Sequence, residues 1–363
     1  MKPFRSCTFA FIIASIAFCL QSNANASHAR GTGRLHAAVM MQDTSSLWQS
    51  AANAYNAGRY LEAADFYKQY IRLRPDVAEG YYWLGNCYYG VKQYSDAIPA
   101  YEKATQLKPD YSDAFRYLGN SLDSAGRFDE AIAAYRRTID IAPNEASGYF
   151  ELAVAHYNHK NYSVAIDLYQ KALSLKPDYK GIHRNIGETL SAMGRTEEAI
   201  SQYNEELRLS PQDSKTYRYL GSAYEKLKRH DEAITAYQSA IRLNDTGGDA
   251  QFGLGNAYYN SGHYAEAAVN YRQATLLDSN SATRYSYLGD AYHKLGQNAE
   301  AVSAYKDAVR IKPDYSDAYY GLALAYLALN DKASAQQTAE TLKKFDAESA
   351  NKIMAQITPQ TTN

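Results

Sequence analysis

The sequence predicts an all-α solenoid of nine helical hairpins, closed at its C-terminal end by a capping helix. Three observations predict it. A 34-residue period runs through residues 44–349 without an insertion. Within each period, apolar residues recur at three- and four-residue steps over two segments, as in Tyr81, Leu84, Tyr88 and then Ala97, Tyr101, Ala104. Glycines and prolines mark the places where the chain has to turn between those segments.

Residues 1–26 read as a cleavable signal peptide: Lys2 and Arg5 precede an apolar run from Cys7 to Leu20, and the polar end carries Ala24-Asn25-Ala26. That run is shorter than the roughly 20 residues a membrane span requires, so no membrane anchor is expected in the mature chain. Residues 27–43 lack sustained periodicity and contain Gly31 and Gly33, the pattern of a flexible linker. The repeats then follow as 44–77, 78–111, 112–145, 146–179, 180–213, 214–247, 248–281, 282–315 and 316–349. One column holds Gly85, Gly119, Gly187, Gly221, Gly255 and Gly289, with Ala51, Ala153 and Ala323 in its gaps. Twelve residues later, alanine stands in every repeat, from Ala63 to Ala335. Four residues further on, a tyrosine column runs from Tyr67 to Tyr305 and ends in Ala339. Small residues on the first helix facing alanine on the second would let the two axes approach to about 8 Å.

Gly58, Gly126, Gly194, Gly262 and Gly296 separate the two helices of five hairpins, and acidic pairs such as Asp129-Glu130 suit the positive start of the second helix. Pro75, Pro109, Pro143, Pro177, Pro211 and Pro313 end second helices, because proline cannot extend the hydrogen-bond ladder. Pro99 departs from this pattern, lying near the start of a second helix. Ser50 and Ala54 in the first repeat suggest a face that tolerates water. Residues 350–363 are assigned to the capping helix and tail, and Ile353, Met354 and Ile357 can cover the last hairpin.

The 363 residues include 35 tyrosines against 10 phenylalanines and 2 tryptophans, so tyrosine serves fixed positions. A net charge of −1 offers no broad positive field for nucleic acid or anionic lipid. Cleavage after Ala26 would leave Cys87 as the only cysteine, which rules out an internal disulfide and fits an inert packing role beside Gly85. His156 and His159, with His183, have the only tempting metal spacing, but no cysteine or carboxylate cluster completes it, so neither metal nor cofactor is expected. What remains outside the repeats is too short for a catalytic domain, and the expected function is binding without catalysis.

The unit YYWLGNCYYGVKQYSDAIPAYEKATQLKPD, from Tyr81 to Asp110, resembles the tetratricopeptide-repeat family, and the resemblance covers residues 44–349. It implies a right-handed superhelix whose first helices line a concave groove through their second, fifth, ninth, twelfth and thirteenth positions. Those positions give Trp48 and Tyr55, then Tyr82, Asn86 and Tyr89, then Arg116 and Asn120, then Phe150, Tyr157 and Asn158. Arg184, Lys215, Arg218 and Lys226 make the middle basic, and Phe252, Asn256, Tyr259 and Asn260 return to aromatic and amide character. An extended peptide with an acidic stretch suits such a surface, since arginine forks hold carboxylates and aromatics bury apolar side chains. The carboxylate-gripping set of some family members is not complete, because Glu151 stands where an asparagine is needed, and Asn185 is an isolated rung of the asparagine ladder found in others. The expectation is an exported adaptor, periplasmic or secreted, that binds a protein or extended peptide segment. A polysaccharide-handling protein is the alternative.

Overall fold

The computed structural model describes residues 44–357, so the expected signal peptide, the linker and the last six residues lie outside the described residues. Among the described residues there are nineteen helices and no strand. They fall into two compact units, one ending at Pro143 and one beginning at Asn144.

The first unit holds α1 (44–56), α2 (Tyr60–Leu73), α3 (Ala78–Gly90), α4 (Tyr94–Leu107), α5 (Ser112–Ser124) and α6 (Phe128–Ile141). The second holds α7 (Ala146–Asn158), α8 (Tyr162–Leu175), α9 (Ile182–Ala192), α10 (Thr196–Leu209), α11 (Ser214–Lys226), α12 (His230–Arg242) and α13 (Asp249–Asn260). It continues through α14 (Tyr264–Leu277), α15 (Ala282–Lys294), α16 (Asn298–Ile311), α17 (Ser316–Ala328), α18 (Lys332–Leu342) and α19 (Ala347–Ile357). Odd-numbered helices up to α17 are the first of each hairpin, and from α3 onward each packs chiefly on the even-numbered helix that follows it. Within each unit, first helices of consecutive repeats also touch, as α3 does α5 and α15 does α17, and second helices make no comparable contact.

The hairpin turn needs a left-handed residue at one fixed column. Gly58, Gly126, Gly194, Gly262 and Gly296 take it with φ between 73° and 86°. In the other repeats Lys92, Lys160, Lys228 and Asn330 adopt the same conformation, with φ between 58° and 63°. Asparagine tolerates this region, but a lysine pays for its Cβ there. Pro99 lies inside α4, on its exposed side, so the missing N–H leaves a gap in the ladder that faces water.

The alanine column is buried completely, 0 % exposed from Ala63 to Ala335. The glycine column makes its closest contact with a further column of the second helix. It faces the tyrosine column: a Cβ built at Gly85, Gly119 or Gly187 would meet the ring of Tyr101, Tyr135 or Tyr203 at 2.6, 2.6 and 2.5 Å. The close approach therefore lays an aromatic ring flat on backbone and buries far more area than an alanine methyl does. The other side of several of these rings is covered by the residue sixteen positions later. Tyr67 stacks on Trp83 (centroids 6.4 Å, 12°), Tyr101 on Tyr117 (6.0 Å, 16°) and Tyr203 on Tyr219 (6.1 Å, 15°). At Tyr237 and Tyr305 the cover is the backbone of Gly253 and Gly321, where a Cβ would overlap the ring.

The ends differ from each other. Ala54 does not form a wetted face: it is 1 % exposed and packs with Ala51, Ala63 and Tyr67, because a first repeat still has to close its own hairpin. At the C-terminal end, α19 buries Ile353 completely against Ala323 and Ala339, with Met354 and Ile357 beside it.

Candidate partner-binding face

Apart from Asn86, which is buried, the first-helix positions nominated from the sequence are half-buried or exposed on α1, α3 and α5 in one unit and on α7, α9, α11 and α13 in the other. In the first unit they form a connected aromatic surface. Trp48 meets Tyr70 edge-on at 5.0 Å, and Tyr55 meets both Tyr60 (5.1 Å) and Trp83 (5.2 Å). Tyr82 packs on Tyr111 at 4.9 Å and on Tyr117 at 6.0 Å, while Tyr89 contacts Tyr94 and Tyr117. Burial pushes the hydroxyls of Tyr55 and Tyr82 up to about 12, so both stay neutral donors. Arg116 lies over the Tyr117 ring at 4.4 Å and donates to Asp113 at 2.8 Å.

Three of the amides on this face are held by column tyrosines. Asn86, 6 % exposed, accepts the Tyr101 hydroxyl at 2.7 Å, and Asn120 accepts that of Tyr135 at 2.7 Å. Asn256 accepts from Tyr271 at 2.8 Å in the second unit. The ninth position therefore anchors the tyrosine column fifteen residues later. Asp290 fills that place for Tyr305, accepting its hydroxyl at 2.6 Å, and burial raises its carboxyl above the ordinary range. Glu188, also at a ninth position, is raised by burial too, with Tyr219 and Arg184 pulling the other way.

The basic middle is compensated within the chain. Arg184 donates to Asp213 at 2.5 Å and lies 3.6 Å from Glu188. Arg218 donates to Asp245 at 3.1 Å, approaches Asp249 at 3.9 Å and lies over the Tyr219 ring. Lys226 donates to the Ser191 hydroxyl at 2.7 Å, and Asn260 donates to Glu225 at 2.9 Å; both bonds tie consecutive first helices together. Lys215 is exposed. An acidic strand would have to displace these carboxylates, at a cost in half-buried ion pairs. The carboxylates that neutralise the arginines were not nominated from the sequence, and neither were Glu188 and Asp290.

Aromatic character persists in the second unit. Phe150 stacks on Tyr179 (5.0 Å, 21°), Tyr157 packs on Tyr162 (5.8 Å), Phe252 on Tyr287 (5.2 Å) and Tyr259 on Tyr264 (5.2 Å). Asn158 is exposed at the end of α7. His183 pairs with Gln202 at 2.8 Å, and among the described residues no three His, Cys, Asp or Glu side chains gather as metal ligands. Cys87 is buried completely, and burial pushes its thiol up to about 12, which removes the reactive thiolate at neutral pH. No helix among the described residues is long and apolar enough to cross a membrane.

The tetratricopeptide repeat family model matches residues 50–112, 88–146, 117–180 and 184–248. The chain belongs to the tetratricopeptide-repeat family. A TPR repeat model matches residues 255–296 and 289–330, and a further tetratricopeptide repeat model matches 317–349. No curated protein matches the sequence. Among solved structures, the C-terminal part of a TPR repeat-containing protein from Cytophaga hutchinsonii is similar at 21% identity and a TM-score of 0.56, covering 66% of this chain and 99% of that one. PilF of Pseudomonas aeruginosa is similar at 22% identity and a TM-score of 0.51, covering 57% and 94%. The Cut9-Hcn1 assembly of an APC/C hetero-tetramer is similar at 18% identity and a TM-score of 0.51, covering 81% of this chain, which spans 58% of the length of that one. These likenesses show the fold: stacked tetratricopeptide hairpins.

Proposed function

We propose that this tetratricopeptide protein is an exported adaptor that holds an extended segment of a partner protein on its first-helix face and acts by binding, without catalysis. One observation carries the mode of recognition: on that face the aromatic rings are presented while the arginines are already paired, Arg184 to Asp213 and Arg218 to Asp245. Such a surface selects by apolar area and neutral hydrogen bonding, with little preference for acidic segments. Export rests on the sequence of residues 1–26, and a periplasmic or extracellular assembly is the setting it suits.

Crosslinking from Tyr157 or Tyr259 in cells tests the binding reading. A partner protein should be caught, and Tyr259→Ala together with Tyr157→Ala should lose it without lowering the melting temperature by more than a few degrees. Capture unaffected by the double substitution would sink the assignment of the face, and retention of a glycan in place of a protein would sink the partner class. An exported chain whose N-terminus begins at Ser27 supports the export reading, and an unprocessed chain confined to the cytosol refutes it.

A further inference from the structure

Tyr169 departs from the rule that orders its column. Elsewhere the hydroxyl of the column tyrosine is given to an amide or carboxyl fifteen residues earlier, as Tyr101 gives it to Asn86 and Tyr305 to Asp290, or the ring is covered sixteen residues later, as Trp83 covers Tyr67. At Tyr169 both positions are changed: Val154 offers no acceptor, and Asn185 stands where Tyr117, Tyr219 and Tyr287 cover their rings. The consequence is a cavity of about 180 Å³ on the first-helix side, lined by Val154, Tyr157, Asn158, Tyr169, Asn185 and Glu188. Tyr169 is 1 % exposed as a residue, and no side chain among the described residues hydrogen-bonds its hydroxyl, but Glu206 Oε2 is the one buried side-chain oxygen left without a partner there, so the Tyr169 oxygen opens onto the cavity. A hydroxyl so placed is hydrogen-bonded by water until a ligand group replaces that water.

We propose that this cavity seats the carboxamide of an asparagine or glutamine side chain from the segment held on that face. The proposal rests on the reading that the face binds a protein segment, and it names one side chain of that segment. A carboxamide offers an acceptor to the Tyr169 hydroxyl and donors to the Glu188 carboxylate, and the Asn185 amide can complement either end. Val154 and the Tyr157 ring flank its methylenes. A carboxylate would be repelled by Glu188. An ammonium would compete with Arg184, which already lies 3.6 Å from Glu188. The neutral group with both donor and acceptor remains.

The test titrates four blocked single residues, the N-acetyl N-methylamides of glutamine, glutamate, lysine and leucine, into the exported chain labelled at tyrosine for NMR. Saturable shifts of the Tyr169 ring signals are expected with the glutamine derivative, binding about fivefold or more tighter than the other three. Val154→Asn should abolish the response while keeping or raising the melting temperature, because it gives Tyr169 the partner that Asn86 gives Tyr101. Tyr169→Phe should weaken binding several-fold with the fold intact. A glutamate, lysine or leucine derivative that binds as well as glutamine overturns the proposal, as does an unsaturable response or one unchanged in Val154→Asn. Loss of the glutamine response with crosslinked capture retained would refute the pocket alone, and loss of capture concerns the face as a whole.

Discussion

The ring of Tyr101 lies across the backbone of Gly85, so close that a Cβ there would stand 2.6 Å from Cε1. Tyr305 lies in the same way over Gly289, at 2.7 Å. Gly85→Ala should therefore push a fully buried ring out of a well-packed site, at a cost of about 1–3 kcal/mol. Ala51 and Ala153 occupy the same column in other repeats, so the hairpin can re-space and the substitution should weaken folding without abolishing it. Thermal denaturation followed by circular dichroism checks this, and an unchanged midpoint contradicts it.

The period, the hairpins and the small-residue columns were legible because they repeat within one 34-residue unit. What was missed depends on register between repeats. The Arg184–Asp213 and Arg218–Asp245 pairs join residues 29 and 27 positions apart, and their geometry follows only once one hairpin is laid on the next. Hence Arg184 and Arg218 read as open cation sites in the sequence. The bond from Tyr101 to Asn86 left a signal that went unread: polar residues recur fifteen positions before the column tyrosine at Asn86, Asn120, Asn256 and Asp290. That spacing separates an anchor from a ligand contact, and it would have removed three asparagines from the nominated face.

Lys160 and Lys228 sit with φ of 63° and 58° at the hairpin turn where glycine stands in five repeats. Each forces a Cβ into the left-handed region, which costs about 1 kcal/mol, partly offset by the greater chain freedom that glycine loses on folding. Lys160→Gly and Lys228→Gly should each stabilise the protein by about 0.5 kcal/mol, additively, since the two turns are far apart in sequence and share no partner. Chemical denaturation midpoints measure the gain. A decrease in either would show that the lysine makes a compensating contact.

Asp290 is the one acidic residue among the four acceptors of the column hydroxyls, and burial raises its carboxyl, opposed by the Tyr305 hydroxyl, His293 and Lys294, with Asp317 adding to the rise. A carboxyl raised in the folded state binds its proton more tightly there than in the unfolded chain. Its contribution to stability is present below the unfolded value, near 3.9, and is lost as pH rises through the folded value. Asp290→Asn keeps an acceptor for Tyr305 and carries no charge. The variant should gain on the order of 1 kcal/mol over the parent at pH 7 and nothing near pH 3. Melting temperatures of the pair across that range decide it, and a difference independent of pH would mean that Asp290 does not titrate as its burial requires.

Arg284 does for one turn what proline does for most of the others. The repeat ending near residue 247 has no terminal proline; α12 stops at Arg242, Asn244 turns with φ 61°, and Gly248 caps α13 with φ 77°. Arg284, 7 % exposed, reaches back from α15 to this turn. It donates to the Gly247 carbonyl at 3.3 Å, the Asp249 carboxylate at 2.8 Å and the Ala274 carbonyl at 3.0 Å, with Asp278 at 3.6 Å. A guanidinium fork suits this set because it serves several acceptors in fixed directions, which an ammonium cannot do. Arg284→Ala takes one donor each from the Gly247 and Ala274 carbonyls, the latter keeping the Asp278 N–H at 3.0 Å, and leaves Asp249 only the 3.9 Å approach of Arg218, so it should cost about 1–3 kcal/mol; Arg284→Lys should recover less than half of that. Hydrogen exchange should rise first at residues 243–250 in both variants. Protection there equal to the parent's would show that the turn holds without the arginine.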